Sequence, residues 1–368
     1  MKQKLLFFIN TLAGGGAEKV LVDLVNAIPS DLFDISVLTI QHGVNEQNLH
    51  PHIHYRCIIP GNNRIFTKLC SAFLCKVLSY RFFARLFIGK GYDTIIAYLQ
   101  GFNTRVVASS SAKKRIAFVH SDLSKAKTIE CLYKNQDELF KEYLTFDSVC
   151  FVSETAKSGF ESTYGILPNS QVLYNIIDSK SVINKSKESV EETYTTSGLR
   201  LISVGRIAPV KGFDRLLRVV KRLNEEGLLF ELWILGEGNQ RPELEAFCDN
   251  NGISNVKFLG YRSNPYPYIL KADIMVCSSI LEGYSTTVYE SVVLGTPVLT
   301  TKCSGMQEIL ANGQGGVIVE NSEKGLYDGL KKILGSPDYL KELAKKARIR
   351  SNELQSPDHL SQYIDLLR

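Results

Sequence analysis

The densest chemistry in this chain of 368 residues lies in residues 278–290, SSILEGYSTTVYE, followed by LGTPV at 294–298. Two carboxylates stand there with seven residues between them. Glu282 falls in a loop behind an apolar run, and Glu290 falls inside the helical pattern that starts near Thr286. A helix starting there points free N–H groups and the positive end of its dipole outward, which suits a phosphate. At about 1.5 Å of rise per residue, Glu290 lies roughly one turn further in, deep enough to accept hydrogen bonds from ribose hydroxyls. Helices often carry an exposed glutamate. Glu290, however, is flanked by Val288, Tyr289, Val292 and Val293 in a helix with no other charge. A carboxylate in such surroundings needs a partner.

A second group precedes a helix at residues 204–212, VGRIAPVKG. Arg206 and Lys211 in front of a helix N-terminus make a site for a diphosphate and for the charge that develops on it as a leaving group. No acidic cluster accompanies them to hold a magnesium ion. Two solvated surface cations are the plainer account of the same residues. The turn Leu235-Gly236-Glu237-Gly238 follows another apolar run and allows close backbone approach to a base or ribose. Near the start, Ala13-Gly14-Gly15-Gly16-Ala17-Glu18 leads from an apolar run into a helix, but the third glycine of a dinucleotide fingerprint is missing. No acidic residue ends the next strand to grip a ribose, so a tight turn explains it equally well. His50, His52 and His54 alternate as strand-borne ligands do, yet Pro51 interrupts them and no Cys or carboxylate lies close in sequence, so they read as surface residues.

The elements that must position these groups alternate throughout the chain. Short, almost wholly apolar runs fall at 5–10, 35–40, 56–59, 94–98, 115–119, 148–152 and 172–174, and again at 201–204, 231–235, 256–259, 274–277, 298–300 and 317–319. Helix-period segments separate them, among them 17–28, 65–88, 102–111, 128–144, 154–164, 213–226, 286–294 and 339–352, with a last short helix at 357–367. This is the pattern of parallel sheets covered by helices, an α/β fold. Residues 179–197, SKSVINKSKESVEETYTTS, offer little that could enter a core and read as a linker between two such units. In an open parallel sheet, ligands lie beyond the carboxyl ends of the strands, where all the groups above fall.

Charge is local. Between residues 50 and 127 thirteen Lys and Arg face only Asp93 and Asp122, although the whole chain carries just +5. That modest total gives no reason to expect nucleic acid as a partner. In 65–88, Phe66, Phe73, Phe82, Phe83 and Phe87 alternate with Lys68, Lys76, Arg81 and Arg85, and 64–90 contains no acidic residue. Basic heads beside aromatics predict peripheral contact with an anionic membrane surface through 64–90. No run approaches the ~20 apolar residues of a spanning helix, and the opening MKQKLLFFIN reads as a strand and not as a leader. The eight cysteines show neither a Cys-x-x-Cys pair nor zinc spacing, which suits a reducing cytoplasm.

Taken together, these segments resemble retaining glycosyltransferase family 4, of the GT-B fold, in its bacterial capsule, lipopolysaccharide and exopolysaccharide type. GGGAEK resembles that family's acceptor-side glycine loop, SVGRIAPVKGFDRLL its donor-phosphate loop, and EGYSTTVYESVVLGTPVLTT its paired-glutamate signature. CSGMQEIL and NPYPYILKADIMVCSS resemble the segments after and before that signature, so the likeness spans essentially the whole chain. It implies two Rossmann-like domains facing across a cleft: residues 1–180 on the acceptor side, a linker at 181–198, and a donor-binding domain at 199–355. The helix at about 356–368 would return to the first domain.

The resemblance further implies that Arg206 and Lys211 hold the diphosphate, Glu290 the ribose, and Glu282 the hydroxyls of the transferred sugar. His120, in FVHSD, falls where the family places a histidine beside that sugar. Gly15, Gly16, Gly236, Gly283, Tyr284, Ser285 and Thr286 would surround the donor. The implied reaction is metal-independent and retains the anomeric configuration by a front-face substitution, the leaving diphosphate taking the acceptor's proton. The donor by analogy is a UDP-sugar, the acceptor a glycan or lipid-linked oligosaccharide at the inner face of the cell membrane. Ser285-Thr286-Thr287 is more polar than in many relatives, which bears on the identity of the sugar. A GT-B epimerase or phosphorylase and a non-catalytic sugar-nucleotide binder are the alternative functions.

Overall fold

Runs such as LLFFI and LWIL have no polar face to offer water, and each becomes a strand covered on both sides. The computed structural model describes residues 2–61, 70, 74, 78–125, 127–355 and 359–368. They divide into two units, Met1–Ile177 with Asp358–Arg368, and Asp178–Pro357. The first is built on β1 (Gln3–Ile9), β2 (Phe33–Thr39), β3 (His54–Cys57), β4 (Thr94–Ala97), β5 (Lys114–Val119), β6 (Ser148–Phe151) and β7 (Ser170–Val172), in the order β3-β2-β1-β4-β5-β6-β7. The second is built on β8 (Leu199–Val204), β9 (Phe230–Leu235), β10 (Val256–Gly260), β11 (Ile274–Cys277), β12 (Val298–Thr301) and β13 (Gly316–Val319), in the order β10-β9-β8-β11-β12-β13. Every pairing described is parallel. In both sheets the winding reverses beside the first strand, between β1 and β4 and between β8 and β11. Loops leaving such neighbours diverge and open a crevice at the carboxyl ends.

The helix His359–Leu367 completes the core of the first unit. Tyr363, Leu366 and Leu367 are buried among β1, β2 and β5 side chains, and the Tyr363 ring stacks on Phe118 at 5.9 Å. Tyr363 Oη donates to the Tyr174 carbonyl at 3.1 Å, and Lys114 Nζ donates to the Leu366 carbonyl at 2.6 Å.

Three elements differ from the expectations of the sequence. Much of 65–88 lies outside the described residues. Its described part is not one continuous helix, because Ser79 is extended and caps a new turn at Tyr80 by accepting from Phe82 N. Tyr80–Phe83 runs into a wider turn, Ala84–Ile88, in which Phe83, Ala84 and Ile88 are buried while Arg81, Phe82, Arg85 and Leu86 face outward. The helix expected at 128–144 is broken likewise: Asn135 is extended and its side chain accepts from Glu138 N at 2.9 Å, starting Gln136–Tyr143 afresh.

The linker expected at 181–198 is a strap bound to the second unit. It opens with the helix Ser179–Lys185, capped by Asp178, and its later anchors are polar, which is why it looked coreless. Glu192 pairs with Arg262 at 2.5 Å and accepts from Tyr268 Oη at 2.9 Å. Tyr194 lies flat on Trp233, with ring centroids 3.7 Å apart. Glu231, only 3% exposed, accepts from Thr195 N and Oγ1, from Trp233 Nε1 at 2.6 Å and from Lys257 Nζ at 2.9 Å.

Burial alone would raise the Glu231 pKa, but those donors outweigh it and bring it to about 2. A depressed carboxylate stabilises the fold above its ordinary pKa and loses that contribution as pH falls toward the depressed value. Unfolding followed by Trp233, the single tryptophan, should therefore lose about 3 kcal/mol between pH 4.5 and pH 2 from this group. Glu231→Gln should be less stable at neutral pH and flatter across that window.

Candidate active site

The crevice of the second unit is floored by the loops after β8 and β11, and the loop after β11 is held by a residue that sequence reading missed. Arg215 lies in the helix Phe213–Glu225 and is 8% exposed. Its Nε and Nη2 donate to the Ser278 carbonyl at 2.9 and 2.6 Å, and Nη2 also donates to the Ser279 carbonyl at 2.8 Å. Ser278 Oγ returns a hydrogen bond to the Lys211 carbonyl at 2.9 Å. Gly212, at φ +63°, sits where a Cβ would come within 2.3 Å of the Ser278 carbonyl oxygen. No periodicity marks Arg215, because the buried face of its helix looks complete without a cation.

On this floor the structure brings together residues that the sequence placed 71 positions apart. Lys211 Nζ lies 2.5 Å from Glu282 Oε1, which also accepts from Ser279 Oγ at 2.6 Å. Burial would lower the Lys211 pKa and the nearby Arg206 charge opposes it, yet Glu282 prevails and raises it. Lys211 thus stays a cation across the physiological range. Arg206 is exposed at the front of the same loop. Gly236 has a reason internal to the protein: a Cβ there would meet the Gly205 carbonyl oxygen at 1.9 Å, because the loops after β8 and β9 clasp each other through Ile207 N and the Glu237 carbonyl at 2.8 Å.

Gly283 and Tyr284 continue from Glu282 against the loop of Cys303–Gly305. Ser285 precedes the helix Thr286–Val293 with extended backbone and no side-chain cap, so neither its hydroxyl nor a first-turn carboxylate competes for the first amides. Glu290 is 3% exposed and accepts from Tyr266 Oη at 3.2 Å. Tyr266 is the second residue sequence reading missed.

The remaining candidates belong to the first unit. Gly15 precedes the helix Gly16–Ala27 behind β1, with no side-chain cap. His120 follows β5, its backbone N–H bound to Gln100 Oε1 at 3.0 Å and its ring 4.7 Å from that of Tyr98. Its Nε2 is buried with no protein partner among the described residues. Desolvation takes its pKa down to about 3, against a hydrogen bond with the Tyr98 backbone that works the other way. The imidazole is therefore neutral at working pH. Of the histidines at 50, 52 and 54, the first two touch ring to ring at 5.7 Å and His54 lies 3.2 Å from Asp34, with no metal-ligand group among the described residues.

Cations, an oriented carboxylate and a free helix start gather at the switch point of one of two parallel-sheet units, the GT-B architecture, and suit the grip of a diphosphate. Comparison with known proteins agrees. Residues 185–350, a little under half of the chain, match the family model described as glycosyl transferases group 1, and the comparisons support a hexosyltransferase. It is 27% identical over 369 residues, 95% of each chain, to the N-acetylgalactosamine-N,N'-diacetylbacillosaminyl-diphospho-undecaprenol 4-alpha-N-acetylgalactosaminyltransferase of Campylobacter jejuni. A second Campylobacter jejuni protein, the GalNAc-alpha-(1->4)-GalNAc-alpha-(1->3)-diNAcBac-PP-undecaprenol alpha-1,4-N-acetyl-D-galactosaminyltransferase, is 22% identical over 99% of this chain and 98% of its own. Among solved structures, Anabaena HepE in complex with UDP and glucose superposes with a TM-score of 0.73 at 19% identity, covering 99% and 98% of the two chains.

The buried neutral imidazole has a pH signature. A histidine whose folded pKa lies below its unfolded value costs stability as pH falls from 6.5 toward 3, because only the unfolded chain takes up the proton. Up to about 1.4 kcal/mol per pH unit should be lost from this group over that window. His120→Gln should flatten the acid limb of a plot of Tm against pH, and should also lower kcat.

Proposed function

We propose that the chain moves a sugar from a UDP-sugar to a lipid-linked oligosaccharide or glycan acceptor, with retention and without a metal, in the synthesis of a cell-surface polysaccharide. The observation that carries this reading is the Lys211–Glu282 pair at the switch point, with buried Glu290 in the helix behind it. Lys211 and Arg206 meet the diphosphate and the negative charge that grows on it as the glycosidic bond to the donor breaks. Amides at the start of Thr286–Val293 add their dipole. Glu290 receives the ribose hydroxyls. Glu282, turned by Lys211 and Ser279, receives hydroxyls of the sugar. From the first unit, His120, neutral and with Nε2 lacking a protein partner among the described residues, is the group we assign to give the sugar one uncharged hydrogen bond. The departing diphosphate accepts the acceptor's proton on the face from which it leaves. Uridine and a diphospho-undecaprenol acceptor are suggested by the names of HepE's ligand and of the first Campylobacter jejuni relative.

Thermal unfolding against UDP-, GDP-, ADP- and dTDP-sugars tests the donor. A ligand at a hundred times its Kd should stabilise by about 2.7 kcal/mol, and Glu290→Ala should remove about 1.5–3 kcal/mol of that affinity. Transfer should persist in excess EDTA, and the product should keep the donor's anomeric configuration by NMR. If no nucleotide sugar shifts either protein, the non-catalytic reading moves ahead.

A lipid-linked acceptor requires an approach to the membrane. No helix among the described residues is long and apolar enough to cross one. The outward face of 81–86 supplies a peripheral contact: Phe82 is 53% exposed and Leu86 58%, each next to an exposed arginine, Arg81 and Arg85. Phe83 anchors that turn by packing on Phe8 and Phe102. The basic residues expected to share the role at 64, 68 and 76 lie outside the described residues. Vesicles containing anionic lipid should sediment the protein at low salt and release it at high salt. Phe82→Ser with Leu86→Ser should weaken this binding about tenfold or more while leaving Tm within about 2 °C, since both side chains already face water. Equal binding to neutral vesicles would count against it.

A further inference from the structure

Tyr266 stands 24 residues before Glu290 in the chain, is 5% exposed, and donates its phenol to Glu290 Oε1. Resting on the reading of Glu290 as the ribose acceptor, we infer that Tyr266 is the positioning residue that aims this carboxylate and so sets the preference for ribonucleotide over 2′-deoxyribonucleotide donors. A glutamate has three rotatable bonds, and its terminal torsion is broad. Within the apolar face of Thr286–Val293 a donor on another element gives it direction.

Tyr266 is fixed in that way. Its backbone N–H donates to Asn264 Oδ1 at 3.2 Å, and Asn264 Nδ2 is tied to the Lys185 carbonyl at 2.9 Å and to Glu188 Oε2 at 2.8 Å. The helix Tyr266–Lys271 is held again through Tyr268 Oη on Glu192 and through Thr296 Oγ1 on the Ile269 carbonyl at 3.2 Å. The strap that leads into the second unit is thus connected, bond by bond, to the ribose carboxylate. The bond to Glu290, at 3.2 Å, is longer than the ~2.5–2.7 Å of a tight phenol–carboxylate contact. That slack lets the carboxylate turn toward a ribose while keeping its Tyr266 donor. A hydroxyl that orients an acceptor in this way acts on ligands that use the acceptor and is indifferent to those that do not.

The test compares Kd for UDP and 2′-deoxy-UDP by calorimetry on the full chain, for wild type, Tyr266→Phe, Tyr266→His and Glu290→Gln, with Tm and circular dichroism as folding controls. Wild type should prefer UDP by about tenfold, the worth of a hydrogen bond to a charged group. Tyr266→Phe should cut that ratio to about threefold or less by weakening UDP while changing 2′-deoxy-UDP by less than about twofold, and in transfer assays KM for the donor should rise with kcat nearly unchanged. Tyr266→His, which keeps a donor on a smaller ring and serves should the phenylalanine variant fail to fold, should retain part of the preference. A preference left intact in both Tyr266 variants, or a loss shared equally by both nucleotides, would overturn the inference while Glu290→Gln still abolished discrimination. If wild type itself fails to discriminate and Glu290→Gln changes neither Kd, the ribose reading of Glu290 fails and the inference falls with it.

Discussion

One guanidinium carries the geometry of the second unit. Arg215 reaches across from its helix to two successive carbonyls, and by doing so fixes the loop on which Glu282 stands. A cation is an uncommon device for a buried position, since desolvation works against it and lowers its pKa here. Several hydrogen bonds to backbone acceptors offset that cost. Removing the side chain would take both of Arg215's donors from the Ser278 carbonyl, leaving that of Ser279 with Thr301 Oγ1 and Cys303 Sγ, and would loosen the strand-to-helix loop with its carboxylate. The Lys211–Glu282 pair stands next to that fixture, through the Ser278 hydroxyl on the Lys211 carbonyl and the Ser279 hydroxyl on Glu282.

The first unit contributes by a contrasting principle. There His120 is kept uncharged by desolvation, whereas in the second unit Lys211 is kept charged by a carboxylate.

Sequence legibility followed the same physics. All thirteen described strands lie within about two residues of apolar runs visible in the chain, because strands buried on both faces have no other way to be written; the edge strand β3, with His54 and Arg56 exposed, is the poorest fit. Lys211, Glu282 and Glu290 were legible because they stand in loops and helix starts where such residues have no packing reason to be. Arg215 and Tyr266 were not, since each looks like an ordinary member of its helix until the element it touches, dozens of residues away, is in place. The strap was misread for a related reason. Its Ser, Thr and Glu residues signal solvent unless one knows that Glu231, Arg262 and Trp233 await them on the sheet. Helix breaks at Ser79 and Asn135 came from capping side chains inside otherwise periodic stretches.

The return of His359–Leu367 to the first unit makes the chain order differ from the order in space. The second unit is an insertion: its segment begins after β7 and ends before the helix that fills the last hollow against β5. On a ribosome, one face of the first unit's sheet is therefore only partly covered, by the helix Gly16–Ala27, while all 180 residues of the second emerge. The second unit, contiguous in sequence, can complete its own core during that interval. The first closes only when Tyr363 arrives, which gives the polypeptide an inbuilt sequence of assembly in which the half made first is finished last.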